Sequence, residues 1–321
     1  MEPITNREIA IVCPTKDRPE KISRLLNSLE QQTELPGQII ISDAGSGNEH
    51  IAETYSGRLN ILHLDSPLKG QVNQRKYAMT HLEKNIRVVV CLDDDVTFEP
   101  DTMTGFRKAW NKHQNTGGLP LGGLGLNVMD AVKPRRSILR KLMLMSSDTP
   151  GSVSLSGYST SYAPTSEDVQ TSFLLGGSTG WCRSVIDNHP HPIDFPTRWA
   201  VCEDIIFSYG VGKTRRLVVT SQAHLKHNET YADLSFARAI FYGKSQVTMR
   251  HYLVSLYDDL SRPAFFWMSL AQNFGYFLIG ITGRIRFIGM SIGGMTALFR
   301  CLRTVFGYKS AKQLAVELYH E

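Results

Sequence analysis

The chain has 321 residues, of which 42% are hydrophobic and 20% are charged, and this balance excludes a disordered protein. The length allows one large domain with an appendage, or two modest domains. Five cysteines without a Cys-x-x-Cys pair argue against a disulfide framework or a zinc site. The N-terminus, MEPITNREIAIVCPTK, lacks the basic-then-apolar layout of a signal peptide, so we expect the bulk of the chain in the cytosol.

The net charge is +5, and the basic residues gather at KPRRSILRK (133–141) and through the C-terminal third. Such clusters attract phosphates, nucleic acid or anionic lipid alike. A solvated basic face is the more common meaning of any one cluster, and we expect no nucleic-acid partner.

Strands and helices alternate along the first hundred residues. Apolar runs predict four strands, at 8–13, 38–42, 59–64 and 88–92. A helix is predicted from Pro19, with an apolar stripe formed by Ile22, Leu25, Leu26 and Leu29, and a second one over 71–83. Apolar strands separated by helices predict an α/β fold, with a mostly parallel, Rossmann-like sheet covered by helices on both faces.

Carboxylates follow two of these strands. Asp43 ends the second strand, and Asp93, Asp94 and Asp95 follow the fourth. Ligands of such sheets bind beyond the carboxyl ends of the strands, so the acids are expected at one crevice. An Asp-x-Asp arrangement of hard oxygens suits Mg²⁺ or Mn²⁺, whose charge would offset the triplet. The alternative is a solvated loop entry without any ion.

The rest of the chain divides into a loop-like stretch, an ordered block and a helical end. Residues 117–180 are rich in Gly, Ser and Thr and are expected to form functional lids or disordered loops. FLLGGSTGWCRSVID and WAVCEDIIFSYGVG form a second ordered block, and the chain turns helical after about residue 230. We therefore predict a catalytic domain over 1–230 and a helical region over 231–321.

Five segments in this order resemble those of family 2 glycosyltransferases with the A-type nucleotide-sugar fold. The resemblance runs from about residue 8 to 230. It rests on IAIVCPTKDRPEKISRLLNSLEQQ, QIIISDAGSG, KGQVNQRKYAMT, LDDDV, and FLLGGSTGWCR followed by CEDIIF. It implies an inverting transfer from a nucleotide-diphosphate sugar, with uracil as the favoured base and dTDP and GDP donors left open.

The resemblance also implies roles for individual residues. Asp43 would read the base, Asp93 would bind the nucleoside and Asp95 would hold Mn²⁺ or Mg²⁺. Further contacts to the donor would come from Pro14, Thr15, Asp17, Arg18, Gly70, Arg75 and Asp94. Gly176 and Gly177 would lie on the acceptor side. For Asp17, capping of the following helix is the alternative.

The chain departs from the family pattern at three places. Ala44 replaces an acid after Asp43, and Lys76 replaces the asparagine after Arg75. No Gln-x-x-Arg-Trp motif follows the Glu-Asp pair, although Thr197-Arg198-Trp199 precedes it. Since that motif accompanies processive polymerases, its absence favours transfer of one or a few sugars.

The Glu203-Asp204 pair is the predicted catalytic centre. An inverting transferase needs a base that takes the proton from the attacking hydroxyl. We assign Asp204 as this base and give Glu203 an orienting or acceptor-binding role, with acids complementing a helix dipole as the alternative. Downstream, His224 or His227 would complete the metal or diphosphate site, and His227 is preferred; surface histidines are the alternative.

The C-terminal third carries two apolar stretches, at 264–283 and 287–299. Gln272 and Asn273 make the first a poor spanning helix, and the second is too short to cross a bilayer. Arginines flank both stretches, as in helices that lie in the membrane interface. We therefore expect peripheral contact with the cytoplasmic face of a membrane and a lipid-linked or cell-surface glycan acceptor; a helical hairpin packed on the catalytic domain is the alternative.

Two other enzyme classes and one non-enzymatic role are the alternatives to this function. Asp93-x-Asp95-x-Thr97 fits the motif of haloacid dehalogenase phosphatases, but that motif should follow the first strand of its domain. A nucleotidyltransferase would open with a Gly-rich loop, which CPTKDRPE is not. An inactive nucleotide-binding module at the membrane is the non-enzymatic alternative, and Ala44 is the feature that favours it.

Overall fold

The structure is a computed structural model that describes residues 2–46, 48–133, 137–146, 149–162, 164–192, 201–228 and 234–319. Two compact units make up the chain. The first contains Met1–Lys133, Tyr162–Ala200 and Asp204–Glu229, and the second contains Pro134–Ser161, Val201–Glu203 and Thr230–Glu321. The domain division expected at residue 230 remains a prediction.

The strands are short apart from the last one. In chain order they are β1 Ile9–Thr15, β2 Gln38–Asp43, β3 Ile61–Asp65, β4 Val88–Leu92, β5 Val96–Phe98, β6 Leu121–Val128, β7 Ser152–Val153, β8 Ser159–Thr160, β9 Val169–Thr171, β10 Ser178–Cys182 and β11 Arg216–His227. β7 and β8 pair with each other in the second unit. The others form the sheet of the first unit, in the order β3-β2-β1-β4-β10-β6-β11-β5, with β9 beside β11.

The helices follow the same order. They are α1 Pro19–Glu30, α2 Glu49–Tyr55, α3 Gln71–Met79, α4 Thr102–Gln114, α5 Ile138–Leu142, α6 Arg183–Asn188, α7 Glu203–Val211, α8 Phe236–Leu256, α9 Arg262–Ile281, α10 Ile285–Val305 and α11 Ala311–Leu318. The stripe predicted for α1 is buried, as Ile22, Leu25, Leu26 and Leu29 are all inaccessible to solvent or nearly so. The α/β fold predicted from the alternation is confirmed.

The sheet is mixed in direction. β3, β2, β1 and β4 are parallel neighbours, which is the part that the sequence predicted. β10 runs antiparallel to both β4 and β6. β11 is parallel to β6 but antiparallel to β5 and β9. The parallel half therefore carries Asp43 and the acid triplet at the same ends of its strands.

The expectation of loops over residues 117–180 is wrong for β6, an eight-residue buried strand. Its sequence, LGGLGLNV, does not predict a strand, because three glycines stand where β-branched side chains are usual. Large neighbours require these glycines: a Cβ at Gly123 would lie 2.7 Å from the ring of Trp181 and 2.8 Å from Leu174. Bulky residues on the adjacent elements thus fill the space above β6.

Helix α3 ends at Met79, four residues before the predicted end. The buried side chain of Gln38 explains the difference. Its Nε2 donates to the carbonyl of His81 at 3.0 Å, and its Oε1 accepts from the backbone N–H of Glu83 at 3.0 Å. Because Gln38, the first residue of β2, binds these two backbone groups, they do not take part in helical hydrogen bonds.

The second unit is mainly helical. α10 lies against α8 at very short range, since a Cβ at Gly243 would meet the backbone of Met290, and one at Gly293 would meet the backbone of Ile240. α9 and α10 have 20 and 21 residues and are long and apolar enough to cross a membrane by length and composition. The expectation that the second apolar stretch is too short is therefore wrong, because α10 extends beyond 287–299 at both ends. About 33% and 44% of the most apolar part of α9 and α10, respectively, is buried. They retain many exposed hydrophobic side chains.

Candidate active site

The three carboxylates lie directly after β4, which runs between β1 and β10. The end of β1 pairs with the end of β2, so that Thr15 lies beside Asp43. Side chains at the ends of β1, β2 and β4 therefore meet at one edge of the sheet, as expected from the strand order. Each acid of the triplet has a different set of neighbours.

Asp94 is buried and fixed by the last residue of β1 and by a residue three positions after it. Thr15 Oγ1 donates to Asp94 Oδ2 at 2.8 Å, and Arg18 Nη1 donates to Oδ1 at 2.9 Å. Arg18 itself is about half exposed. Both residues were predicted to contact the donor, and here they position the middle carboxylate.

Asp93 is tied to α3 and to the segment before β10. Arg75 Nη2 donates to Asp93 Oδ1 at 2.8 Å, and Gln71 donates to the same oxygen. The backbone N–H of Asp93 donates to the carbonyl of Gly177 at 3.2 Å. A Cβ at Gly177 would collide with the carboxylate of Asp93, so the glycine is required by this close approach. The donor-side and acceptor-side residues predicted from the sequence thus meet at Asp93.

Asp95 is the most unusual carboxylate of the three. Its side chain is 8% exposed, with Lys21 Nζ at 3.5 Å from Oδ2 and His227 Nε2 at 3.2 Å from Oδ1. Among the described residues, Oδ1 is buried and lacks a properly oriented hydrogen-bond donor. Burial raises the pKa of Asp95, assisted by the negative charges of Asp93 and Asp94, whereas His227 and Lys21 act in the opposite direction.

Asp93, Asp95 and His227 each offer a ligand atom, and these atoms lie within 4.8 Å of one another. Two carboxylate oxygens and one imidazole nitrogen suit Mn²⁺ and are compatible with Mg²⁺. The buried Oδ1 of Asp95 without a donor is what a cation would satisfy. His224 is outside this group; its carbonyl accepts from the hydroxyl of Thr102 at 2.6 Å. The preference for His227 accords with this geometry.

Asp43 is less available than the resemblance implied. It is 2% exposed, and its Oδ1 accepts from the backbone N–H of Gly45 at 2.8 Å. Its Oδ2 accepts from Asn48 Nδ2 at 2.6 Å, and His63 Nε2 lies 3.5 Å away. In this structure the carboxylate therefore orders the loop after β2. A role for Asp43 in reading the base remains a prediction.

The remaining donor-side residues shape the backbone of the same edge. Pro14 is buried within β1. Asp17 adopts a left-handed conformation with φ of 52° and accepts from the backbone N–H of Ser46 at 3.2 Å. Gly70 precedes α3 with φ of 97°, a value that favours glycine. Gln74, which the sequence analysis missed, donates to the carbonyls of Thr15 and Ser42 at 2.7 Å and so joins α3 to β1 and β2.

Asp204 lies in the first turn of α7, and a buried hydroxyl connects this turn to the segment before Gly176. Ser208 Oγ donates to the carbonyl of Asp204 at 2.5 Å and accepts from the backbone N–H of Leu174 at 3.1 Å. Tyr162 Oη accepts from the backbone N–H of Leu175 at 3.3 Å. Burial first, and then the charge of Asp204, raise the pKa of the Tyr162 phenol.

The same turn contains Glu203, which is buried and belongs to the second unit. Its neighbour Cys202 has a left-handed φ of 62°. Thr197, Arg198 and Trp199 lie outside the described residues. The roles assigned to Glu203, Asp204 and Gly176 remain predictions.

Four residues of this region were not predicted from the sequence: Lys21, Gln71, Gln74 and Ser208. Lys21 and Gln71 lie in the predicted helices, but their sequence pattern does not indicate that they contact Asp95 and Asp93, the acids that follow β4. Ser208 occurs in an apolar run, IIFSYG, where an isolated serine signals a buried hydrogen bond.

Comparison with solved structures shows the fold. The S. aureus protein TarS, solved as residues 1–349, is similar at a TM-score of 0.55 and 15% identity, covering 97% of this chain and 89% of that one. The mannosyltransferase PcManGT from Pyrobaculum calidifontis, solved with GDP-Man and Mn²⁺, is similar at a TM-score of 0.53 and 12% identity, covering 96% of this chain and 78% of that one. No curated protein sequence matched the chain.

The fold and the motif order therefore define the chain as a glycosyltransferase with the A-type fold. Residues 10–140 match the family model described as Glycosyl transferase family 2. The resemblance read from the sequence is confirmed, and the phosphatase alternative is set aside because the acid triplet follows the fourth strand of a glycosyltransferase sheet.

Proposed function

We propose that the protein transfers a sugar, with inversion at the anomeric carbon, from a nucleotide-diphosphate donor to a hydroxyl of a glycan or lipid-linked acceptor. One observation carries the metal-dependent part of this proposal: the ligand atoms of Asp93, Asp95 and His227 converge, while Asp95 Oδ1 is buried without a donor. Adjacent buried carboxylates repel each other, and a divalent cation would remove that cost.

The donor would lie along the edge formed by β1, β2 and β4. Asp93, Asp95 and His227 would hold Mn²⁺ or Mg²⁺, which offsets the charge of the diphosphate when bound. Thr15 and Arg18 hold Asp94 in place, and Arg75 orients Asp93. TarS has been solved with UDP-GlcNAc and PcManGT with GDP-Man, which supports a nucleotide sugar here and leaves UDP as the favoured donor.

Asp204 is the proposed base. The acceptor oxygen forms a bond with the anomeric carbon, the bond from that carbon to the diphosphate oxygen breaks, and the hydroxyl proton passes to the Asp204 carboxylate. The nucleoside diphosphate leaves with the bonding electrons. Ser208 fixes the backbone of Asp204 relative to the segment that leads to Gly177, and Glu203 would orient the acceptor.

The acceptor is proposed to be lipid-linked or part of a cell-surface glycan, and the transfer to be non-processive. Support comes from α9 and α10, whose exposed apolar side chains fit peripheral contact with the cytoplasmic face of a membrane.

The first experiment measures the melting temperature with UDP, dTDP, GDP and CDP, each with and without Mn²⁺. A ligand that binds the folded state raises the melting temperature by mass action. We expect a Mn²⁺-dependent rise for one nucleotide, and its loss in Asp95→Ala. Asp65→Ala is the matched control, because Asp65 also ends a strand but its side chain is 81% exposed.

A second variant separates binding from chemistry. Asp204→Asn should keep the Mn²⁺-dependent rise and lose sugar transfer by a factor of about 10² to 10⁴, the usual contribution of a general base. The absence of a shift for every nucleotide would overturn the metal–diphosphate proposal. A fully active Asp204→Asn variant would overturn the assignment of the base alone.

A further inference from the structure

The short helix α5 in the second unit has an apolar face that is turned to solvent. Ile138, Leu139 and Leu142 are 81%, 63% and 67% exposed, and their spacing places them on one side of the helix. Arg140 anchors the helix from another side, since its Nη2 donates to the hydroxyl of Tyr158 at 2.9 Å. The exposed face is therefore held in place by the unit, while its three apolar side chains remain mostly exposed.

A hydrogen bond connects α5 to the apolar surface of α9. Trp267 Nε1 donates to the carbonyl of Leu142 at 3.2 Å, while the ring itself remains half exposed. The same ring lines an open apolar cavity of about 410 Å³ between α9 and α10. Its other walls include Phe266, Leu270, Met295, Phe299 and Leu302. Aromatic side chains with one polar group are typical of the membrane–water boundary.

The sequence segments that carry these helices are basic. From residue 260 to 316 the sequence contains no Asp or Glu, but it contains Arg262, Arg284, Arg286, Arg300, Arg303, Lys309 and Lys312. From 131 to 147 it again contains no acid, but it contains Lys133, Arg135, Arg136, Arg140 and Lys141. Such segments attract an anionic surface. A second copy of the chain would bring these cations against each other, so a symmetric dimer through the surface is disfavoured.

We propose that α5 and the exposed faces of α9 and α10 form one surface that inserts into a bilayer of anionic phospholipid. The cavity takes an acyl chain, the rings of Trp267 and its neighbours lie at the level of the headgroups, and the arginines on and beside α9 and α10 contact the lipid phosphates. This inference rests on the proposed membrane location and adds to it the lipid class and a third inserting element, α5.

The test uses the full chain and vesicles of phosphatidylcholine, alone or mixed with phosphatidylglycerol. We expect sedimentation with the mixed vesicles, little with the neutral ones, and weaker binding at high salt. The double variant Ile138→Ser/Leu139→Ser should bind about tenfold less, because two exposed apolar side chains are lost from the insertion. Leu119→Ser is the control, since Leu119 is a half-exposed leucine of the first unit.

Quenching by bromine-labelled acyl chains reports insertion directly. Tryptophan fluorescence should be quenched by brominated vesicles in the wild type, and most of this quenching should be lost in Trp267→Phe. The melting temperature of each variant is also measured without vesicles. Because the substituted side chains are about half exposed or more, we expect it to stay close to that of the wild type, which shows that the variants fold.

Several outcomes would overturn the inference. These are equal binding to neutral vesicles, unchanged binding of the double variant, and a dimer that forms without vesicles and dissociates on the same substitutions.

Failure of this proposal is distinguishable from failure of the transferase proposal. Loss of vesicle binding with an intact Mn²⁺-dependent nucleotide shift overturns the lipid surface alone, and vesicle binding without any nucleotide shift overturns the proposed donor site alone.

Discussion

Nε2 of His227 lies 3.2 Å from Oδ1 of Asp95, although the two residues belong to distant parts of the chain. The local strand pairing explains this proximity. Directly after the acid triplet the chain enters β5, whose Val96 is the antiparallel partner of His227 on β11. The backbone N–H of Asn228 also donates to the carbonyl of Asp95 at 2.8 Å. The end of β11 thus completes the acidic site, and His227 is placed by backbone pairing.

The first prediction compares the proposed metal ligands. Asp95→Asn should abolish the Mn²⁺-dependent rise in melting temperature with nucleotide, whereas His227→Ala should weaken the apparent Mn²⁺ affinity by about 10- to 100-fold and leave a residual rise. His224→Ala is the control, because the structure uses the carbonyl of His224 and not its ring in holding Thr102. An equal loss in the two histidine variants would remove His227 from the site.

The second prediction concerns the close approach of Gly177 to Asp93. A methyl group in Gly177→Ala would occupy the position of the Asp93 carboxylate, so the carboxylate must move away from Arg75 and from the other ligands. We expect Mn²⁺-dependent nucleotide binding to fall at least about tenfold, as misplacement of a supporting group commonly does. Isothermal titration calorimetry measures this. Gly57→Ala is the control, because a Cβ at Gly57 would meet nothing within 4 Å, and its binding should be unchanged.

The third prediction concerns a buried carboxylate outside the active site. Asp168 Oδ2 accepts from Lys112 Nζ at 2.7 Å and lies 2.9 Å from His113 Nε2, while Oδ1 accepts from Thr220 and from the backbone N–H of Ser221 at 2.9 Å. Burial alone would raise the pKa of Asp168, but these hydrogen bonds outweigh it and the pKa is well below its ordinary value.

Asp168→Ala should therefore lower the free energy of unfolding by about 3 kcal/mol, because five hydrogen-bonding groups, including the Ser221 hydroxyl at 3.2 Å, lose their shared partner. Asp168→Asn should cost less, since its amide oxygen can still accept from Thr220 and Ser221. Denaturation in urea gives both values. If Asp168→Asn and Asp168→Ala lowered the free energy of unfolding equally, the hydrogen bonds from Thr220 and Ser221 on β11 would not contribute to stability.

The fourth prediction concerns His251, a buried histidine of α8. Burial lowers its pKa to about 4, assisted by the charge of Arg262, compared with about 6.5 in the unfolded chain. Because the unfolded state binds the proton more readily, stability is lost as the pH falls from about 6.5 towards 4 and is unaffected above that range.

The expected loss from His251 is about 2 kcal/mol at pH 5 relative to pH 7.5. His251→Gln should remove this part of the pH dependence, and its amide can replace the contact of Nε2 with Thr304 Oγ1, which is 3.2 Å away. Thermal melts at the two pH values measure the effect. The exposed His50→Gln variant should keep the slope of the wild type, and an unchanged slope in His251→Gln would contradict the assignment.

Much of the parallel half of the sheet could be predicted from the sequence, because β1, β2 and β4 are continuous apolar runs and α1 has a clear stripe. The position of the triplet could also be predicted, because acids that directly follow a buried strand lie at the edge of the sheet where that strand ends. The antiparallel half was harder to predict. β6 contains glycines because Trp181 and Leu174 occupy the space that larger side chains would need. This requirement can be recognised only from the three-dimensional structure.

The partners of the acids could not be predicted for a similar reason. Thr15 and Arg18 were expected to face the donor, but they hold Asp94. The role of Asp43 in reading a base remains a prediction, and in this structure its oxygens accept from Gly45 and Asn48. A carboxylate has the same letter in the sequence whether it binds a ligand or a neighbouring backbone, and only the fold distinguishes the two.

The position of β10 in the sheet has a consequence for synthesis of the protein. β4 can pair with β1 as soon as both have left the ribosome, but its other edge must wait for β10, which is made much later. Until then the nascent chain carries an open, apolar strand edge that ends in three negative charges. Charged residues at a strand end oppose edge-to-edge association between chains. We therefore expect the acid triplet to oppose association of this strand edge with other chains during synthesis.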